Sequence, residues 1–157
     1  MKVEDLMTTG VGTCRPYDGA DQAARVMWEQ DCGSVPVVDQ DGRVVAMITD
    51  RDICIAALTQ GRPIGEIRVS SAMSRKLWNC RPDDDVKDAE KVMRAHQVRR
   101  LPVVQVDGKL AGILSISDLA RAAVSPKKET TRTRKKAVEP ADVGETLGAI
   151  SVPAAPR

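Results

Sequence analysis

Residues 99–119 read RRLPVVQVDGKLAGILSISDL, and residues 33–53 read GSVPVVDQDGRVVAMITDRDI. Each stretch is two apolar, branched runs separated by Asp-Gly, at Asp107-Gly108 and Asp41-Gly42, the strongest short signal for a β-hairpin. Each second run ends in a short hydroxyl residue, Ser115 or Thr49, followed three positions on by Asp118 or Asp52. That spacing predicts a strand ending where a helix begins. Such a junction offers free backbone N–H groups and oxygen-bearing side chains, the groups that a phosphate or a ribose requires.

The repetition extends outward from these stretches. At an offset of 66 residues Val3 meets Val69, Met7 meets Met73, Cys14-Arg15-Pro16 meets Cys80-Arg81-Pro82, and Asp18 meets Asp84. Ala23, Val26 and Met27 meet Ala89, Val92 and Met93, and Pro36-Val37-Val38 meets Pro102-Val103-Val104. Matches that fall on turns, caps and apolar positions alike indicate one duplicated structural unit. In each copy the proline predicts that a helix starts after it. Asp18 and Asp84 are expected to cap that helix, and Ala20, Ala23, Ala24 and Met27, or Val86, Ala89, Val92 and Met93, follow helical spacing. The methionines read as core packing. The unit order is helix, strand, helix, strand, strand, helix, with Ile53–Leu58 and Leu119–Val124 as the final helices and residues 60–63, Gln-Gly-Arg-Pro, as the joint. The expected boundaries are 1–62 for the first repeat, 63–124 for the second, and 125–157 for a disordered basic tail, within which a brief helix around Asp142 to Ile150 stays open.

Composition narrows the function. The chain has 157 residues, a formal net charge of +2, no Phe, one Tyr and two Trp, so stacking platforms for single-stranded nucleic acid are scarce. The four cysteines form no C-x-x-C pair, no apolar signal segment precedes them, and no run approaches the length of a membrane span. A cytoplasmic protein with reduced thiols is expected. No nucleophile elbow, Walker loop or zinc-protease motif occurs, so no catalytic residues and no metal site are assigned. His96 reads as a helix-terminal residue, and Asp50-Arg51-Asp52 as a solvated helix start.

Residues 1 to about 124 resemble a tandem pair of CBS domains, the cystathionine-β-synthase type module. The resemblance rests on two copies of P-V-V-x-x-x-G and on the element G-h-x-[ST]-x-x-[DN], h being apolar. Residues 112–118, GILSISD, fit it throughout, and residues 46–52, AMITDRD, carry Ala46 for the glycine. It implies an α+β fold of two repeats related by a pseudo-two-fold axis, with two clefts between them that hold adenosine compounds: AMP, ADP, ATP, NAD or S-adenosylmethionine. By that analogy Asp52 and Asp118 accept ribose hydroxyls, and Thr49 and Ser115 bind a phosphate oxygen. Adenine would lie near Val35 and Val37 or Leu101 and Val103, against backbone near Thr13-Cys14 or Asn79-Cys80. Arg99 and Arg100 precede the second P-V-V where the first copy has Gly33-Ser34, and Arg100 stands where family members reach nucleotide phosphates.

The resemblance therefore implies a non-enzymatic regulatory module that signals ligand occupancy to a protein partner and self-associates as a homodimer, with neither membrane nor nucleic acid as partner. Plainer readings stand beside it. Thr49, Asp52, Ser115 and Asp118 also suit helix caps. Arg99 and Arg100 also suit an exposed edge that discourages strand pairing, and the clefts of a scaffold protein would be empty. The basic run in 127–136 has the charge to engage nucleic acid by counterion release.

Overall fold

The computed structural model describes residues 1–124 and 138–152. Helices α1 (Ala20–Glu29), α2 (Asp50–Gln60), α3 (Val69–Ala72), α4 (Val86–His96), α5 (Ile116–Val124) and α6 (Pro140–Ile150) alternate with strands β1 (Ser34–Val38), β2 (Val44–Thr49), β3 (Arg100–Val104) and β4 (Leu110–Ser115). Both Asp-Gly hairpins form. β1 pairs antiparallel with β2, from Ser34 opposite Thr49 to Val38 opposite Val44, and β3 pairs with β4. Gly42 and Gly108 take φ of 79° and 83°, the left-handed geometry in which a side chain is strained. Asp39 Oδ1 ties the first turn by accepting from the Asp41 and Arg43 amides, each at 2.9 Å.

The fold is mixed α+β, two small antiparallel sheets packed with helices. The chain divides into two compact units. The first holds residues 10–77 and 104–110, and its core joins Met27, Val35, Val37, Ala46, Ile48, Ile53, Ile67 and Val69. The second holds residues 1–9, 78–103 and the described residues from Ala111 onward, around Val3, Val86, Met93, Leu101, Val103, Leu114 and Leu119. The units thus cut across the sequence repeat. The Val3–Asp5 turn packs with the second hairpin, and its counterpart Val69–Ala72 packs with the first. Hydrogen bonds pin both: Thr8 and Ile113 exchange amide-to-carbonyl bonds at 2.9 Å, while the Ser74 amide donates to the Met47 carbonyl at 2.8 Å. With no Phe available, each core is filled by aliphatic side chains, whose burial stabilises by roughly 1.5–3 kcal/mol apiece.

Two expectations are corrected. Asp18 and Asp84 do not cap the helices. Their carboxylates accept from the Arg15 and Arg81 amides, each at 2.7 Å, closing the Arg-Pro turn, and the helices begin later, with Gly19 and Asp85 at the N-cap positions. The tail is not disordered throughout. The helix left open there forms as α6, because Thr146 and Ile150, with Val138 just before, are buried against the second unit's core. Residues 125–137, which carry the basic run, and 153–157 lie outside the described residues. His96 does end α4, its ring stacked on Trp78 with centroids 3.4 Å apart and planes within 3°.

Candidate functional site

In the first unit β2 runs directly into α2, so the last strand residue, Thr49, is also the helix N-cap. Asp52 Oδ2 accepts from the Thr49 amide at 2.9 Å and from the Thr49 hydroxyl at 2.7 Å, and the Asp52 amide donates to Thr49 Oγ1 at 3.1 Å. This reciprocal pair is a capping box. It fixes the carboxylate rotamer and leaves Oδ1 with no hydrogen-bond partner among the described residues. The second unit repeats the geometry. Asp118 Oδ2 accepts from the Ser115 amide at 2.7 Å and hydroxyl at 2.6 Å, and the Asp118 amide donates to Ser115 Oγ at 3.3 Å.

There the likeness stops. Asp118 Oδ1 is taken by the Arg121 guanidinium and, at 3.3 Å, by the Thr8 hydroxyl, and Asp118 is 5% exposed. Arg121 lies one helical turn beyond Asp118, and the position matching it in the first copy is Ile55. The sequence reading missed Arg121 and Thr8. The i,i+3 spacing of Asp118 and Arg121 was a visible signal for the first, whereas Thr8 arrives only through the exchange of N-terminal segments between units.

The chain entering each hairpin lies alongside it. Cys14 bridges Val37 in parallel and Cys80 bridges Val103, with the Cys14 amide donating to the Pro36 carbonyl and the Cys80 amide to the Pro102 carbonyl, both at 3.2 Å. The preceding residues, Thr13 and Asn79, are exposed. Arg99 is exposed, Arg100 is half-buried, and the Arg99 carbonyl accepts from the Ile116 amide at 2.9 Å, which fixes that backbone beside Ser115. The matching bond in the first unit runs from the Asp50 amide to the Gly33 carbonyl at 3.2 Å and brings the Asp50 carboxylate, not an arginine, to that junction.

Val35, Val37, Leu101 and Val103 are all 0% exposed. The Cys14 and Cys80 segments cover one strand edge, the hairpin partner covers the other, and helices close the face, which makes these side chains core. Burial, with Asp18 beside Cys14 and Asp84 beside Cys80, pushes both thiols up to about 12, so neither carries an accessible thiolate at neutral pH.

A duplicated hairpin-and-helix unit with a hydroxyl–carboxylate pair at each strand-to-helix junction is the architecture of a CBS-domain pair. The CBS domain family profile matches residues 3–58 and 64–125, and the chain belongs to that family. It is 42% identical over 118 residues to the CBS domain-containing protein YhcV of Bacillus subtilis, covering 75% of this chain and 82% of YhcV. Among solved structures it is similar to CBSX2 in complex with AMP, at 29% identity and a TM-score of 0.66, covering 78% of this chain and 95% of that one. It is also similar to Hypoxic Response Protein I with two coordinated zinc ions, at 30% identity and a TM-score of 0.71, covering 80% and 100%. Among the described residues no group of three His, Cys, Asp or Glu side chains is arranged to hold a metal ion, and no helix is long and apolar enough to cross a membrane.

Proposed function

We propose that this chain is a non-catalytic sensor of adenosine nucleotides, with AMP as the first ligand to test, and that occupancy is signalled to a protein partner by a homodimer in the cytoplasm. The observation that carries the reading is the carboxylate of Asp52. One of its oxygens is locked by the Thr49 amide and hydroxyl, and the other is held in a fixed rotamer with nothing to accept among the described residues. A ribose diol supplies the missing donors, and charge-assisted bonds to a preorganised acceptor are the strong kind. Thr13 and the Cys14 backbone supply the neighbouring edge, and the AMP complex of CBSX2 supports the ligand class.

The Ser115–Asp118 site has a different requirement. Its acceptor oxygen is already engaged, so a ligand must draw Arg121 away, and a phosphate does this by offering the guanidinium a better anion. Arg99, Arg100 and Arg121 then favour a charged nucleotide there, with Asn79 and the Cys80 backbone at the adenine edge. NAD, ADP, ATP and S-adenosylmethionine belong in the same screen. Calorimetric titration of the full chain with AMP should give saturable binding, together with a rise in melting temperature that grows with ligand concentration. If none of the five compounds binds or stabilises the protein, the sensor reading is overturned. The alternative then stands: a scaffold in which the two hydroxyl–carboxylate pairs serve only as the helix caps they already form.

A further inference from the structure

Helix α6 lies across α4 and α5 of the second unit, and its seat is apolar at both ends and ionic in the middle. Ile150 and Val138 are buried there, and Thr146, 0% exposed, accepts from Arg94 Nη1 at 3.1 Å. Gln97 Nε2 donates to the Ala149 and Val152 carbonyls at 3.4 and 3.5 Å, gripping the C-terminal end. The middle is mismatched. Glu90 of α4 is 2% exposed and its Oε1 has no hydrogen-bond partner among the described residues. The groups facing it from α6 are Asp142 and Glu145, both acidic, and on its own helix are Lys87 and Arg94. Both cations are spent on α6's acids, Lys87 on Asp142 at 3.1 Å and Arg94 on Glu145 at 3.7 Å. Burial and Asp142 accordingly push the Glu90 carboxyl above its ordinary range. The matching residue in the first repeat is Ala24, so the duplicated unit packs without a carboxylate at this position.

The helix is also a poor one by composition. Gly144 and Gly148 lie in its interior, and a Cβ at either would meet nothing within 4 Å. Packing therefore gives no reason for the glycines, and each weakens the helix by roughly 1 kcal/mol relative to alanine. Weak propensity and a buried like-charge contact both lower the hold of α6 on its seat.

We propose that the α4–α5 face is a helix-binding groove of which α6 is a displaceable resident, and that its intended occupant is an amphipathic helix of a partner protein bearing Lys or Arg opposite Glu90. The apolar floor and the Arg94 and Gln97 anchors accept any helix of that shape. The buried Glu90 carboxylate selects a cation, which α6 does not bring.

The test uses the full chain and two fluorescent 15-residue peptides copying residues 138–152, one native and one carrying Asp142→Lys. The Asp142→Lys peptide should bind at least ten-fold more tightly than the native peptide, and its binding should release the chain's own α6, read as lost amide protection over residues 140–150 in hydrogen exchange. Glu90→Gln in the chain should abolish the preference between peptides, and Gly144→Ala with Gly148→Ala should weaken binding of both by strengthening the resident helix. The proposal is overturned if neither peptide displaces α6, which then is a fixed part of the core, or if the preference for the lysine peptide survives in Glu90→Gln.

Discussion

Asp52 and Asp118 occupy the same station in the two repeats, each locked through Oδ2 by the amide and hydroxyl of the residue three positions earlier, and they differ in what holds Oδ1. In Asp118 that oxygen is shared by Arg121 and Thr8; in Asp52 it has no partner among the described residues. Duplication supplied two copies of one geometry, and the side chain at the position of Ile55 and Arg121 has since given the copies different electrostatics.

The first prediction follows from that difference. Asp52→Ala should weaken AMP binding at its site by at least ten-fold in calorimetric titration, while Asp52→Asn, which keeps an acceptor but no charge, should retain part of it. Loss of the capping box should lower stability by about 1 kcal/mol for the alanine variant in urea unfolding. An alanine variant that loses this stability yet binds AMP as wild type does would show the pair to be a cap only.

At the Ser115 site the arginines decide between charged and neutral ligands. Arg100→Ala should reduce affinity for AMP more than for adenosine, since only the phosphate loses a partner. Arg121→Ala should do the same and in addition improve adenosine binding, because Asp118 Oδ1 then loses its guanidinium partner and keeps only the long bond from the Thr8 hydroxyl. Parallel titrations of AMP and adenosine against both variants check this; equal losses for the two ligands would refute a phosphate role.

Much of this arrangement was legible in the sequence, and the misses have physical causes. The Asp-Gly hairpins, the helices and the Thr49–Asp52 and Ser115–Asp118 junctions follow from local chemistry: turn residues, period and spacing. The full burial of Val35, Val37, Leu101 and Val103 was not legible, because the pattern of a strand does not show that its flanks are covered, here by the Cys14 and Cys80 segments. Asp18 and Asp84 were misread because a carboxylate two residues past a proline closes the Arg-Pro turn as readily as it caps a helix. The helix around Asp142 to Ile150 stayed open because the segment is poor in large apolar residues; Thr146 and Ile150 pack because α4 and α5 provide a seat. The exchange of the Val3 and Val69 segments between units leaves no trace in either copy read alone.

The buried thiols predict a pH dependence. Cys14 and Cys80 have their pKa raised from 9.0 to about 12. Between those values the unfolded chain releases both protons while the folded chain keeps them. Stability should therefore be unaffected by these groups below about pH 9 and fall as pH rises from 9 toward 12. Urea unfolding across that range should show a shallower decline in Cys14→Ala and Cys80→Ala, after allowance for the cavity each leaves. At pH 8 a thiol reagent should modify the exposed Cys54 in the native protein, and Cys14 and Cys80 only on unfolding.

Gly112 and Ala46 hold matching positions, and the reason only one is glycine lies in the strand-edge contact. In the second unit Thr8 approaches β4 through two backbone bonds, and a Cβ on Gly112 would stand 2.5 Å from the Thr8 carbonyl oxygen and 3.2 Å from Met7 Sδ. In the first unit one of those backbone bonds is replaced by the Ser74 hydroxyl, which accepts from the Met47 amide at 3.1 Å, and the longer side-chain link leaves room for the Ala46 methyl. Gly112→Ala must push the Thr8 backbone away, at a cost of about 1–3 kcal/mol, and with it the Thr8 hydroxyl that bonds Asp118. Ala46→Gly removes one buried methyl and relieves no clash, so its cost should be nearer 1 kcal/mol. Urea unfolding of the two variants measures the difference; equal losses would mean that the close approach of Thr8 to β4 is not what requires glycine at position 112.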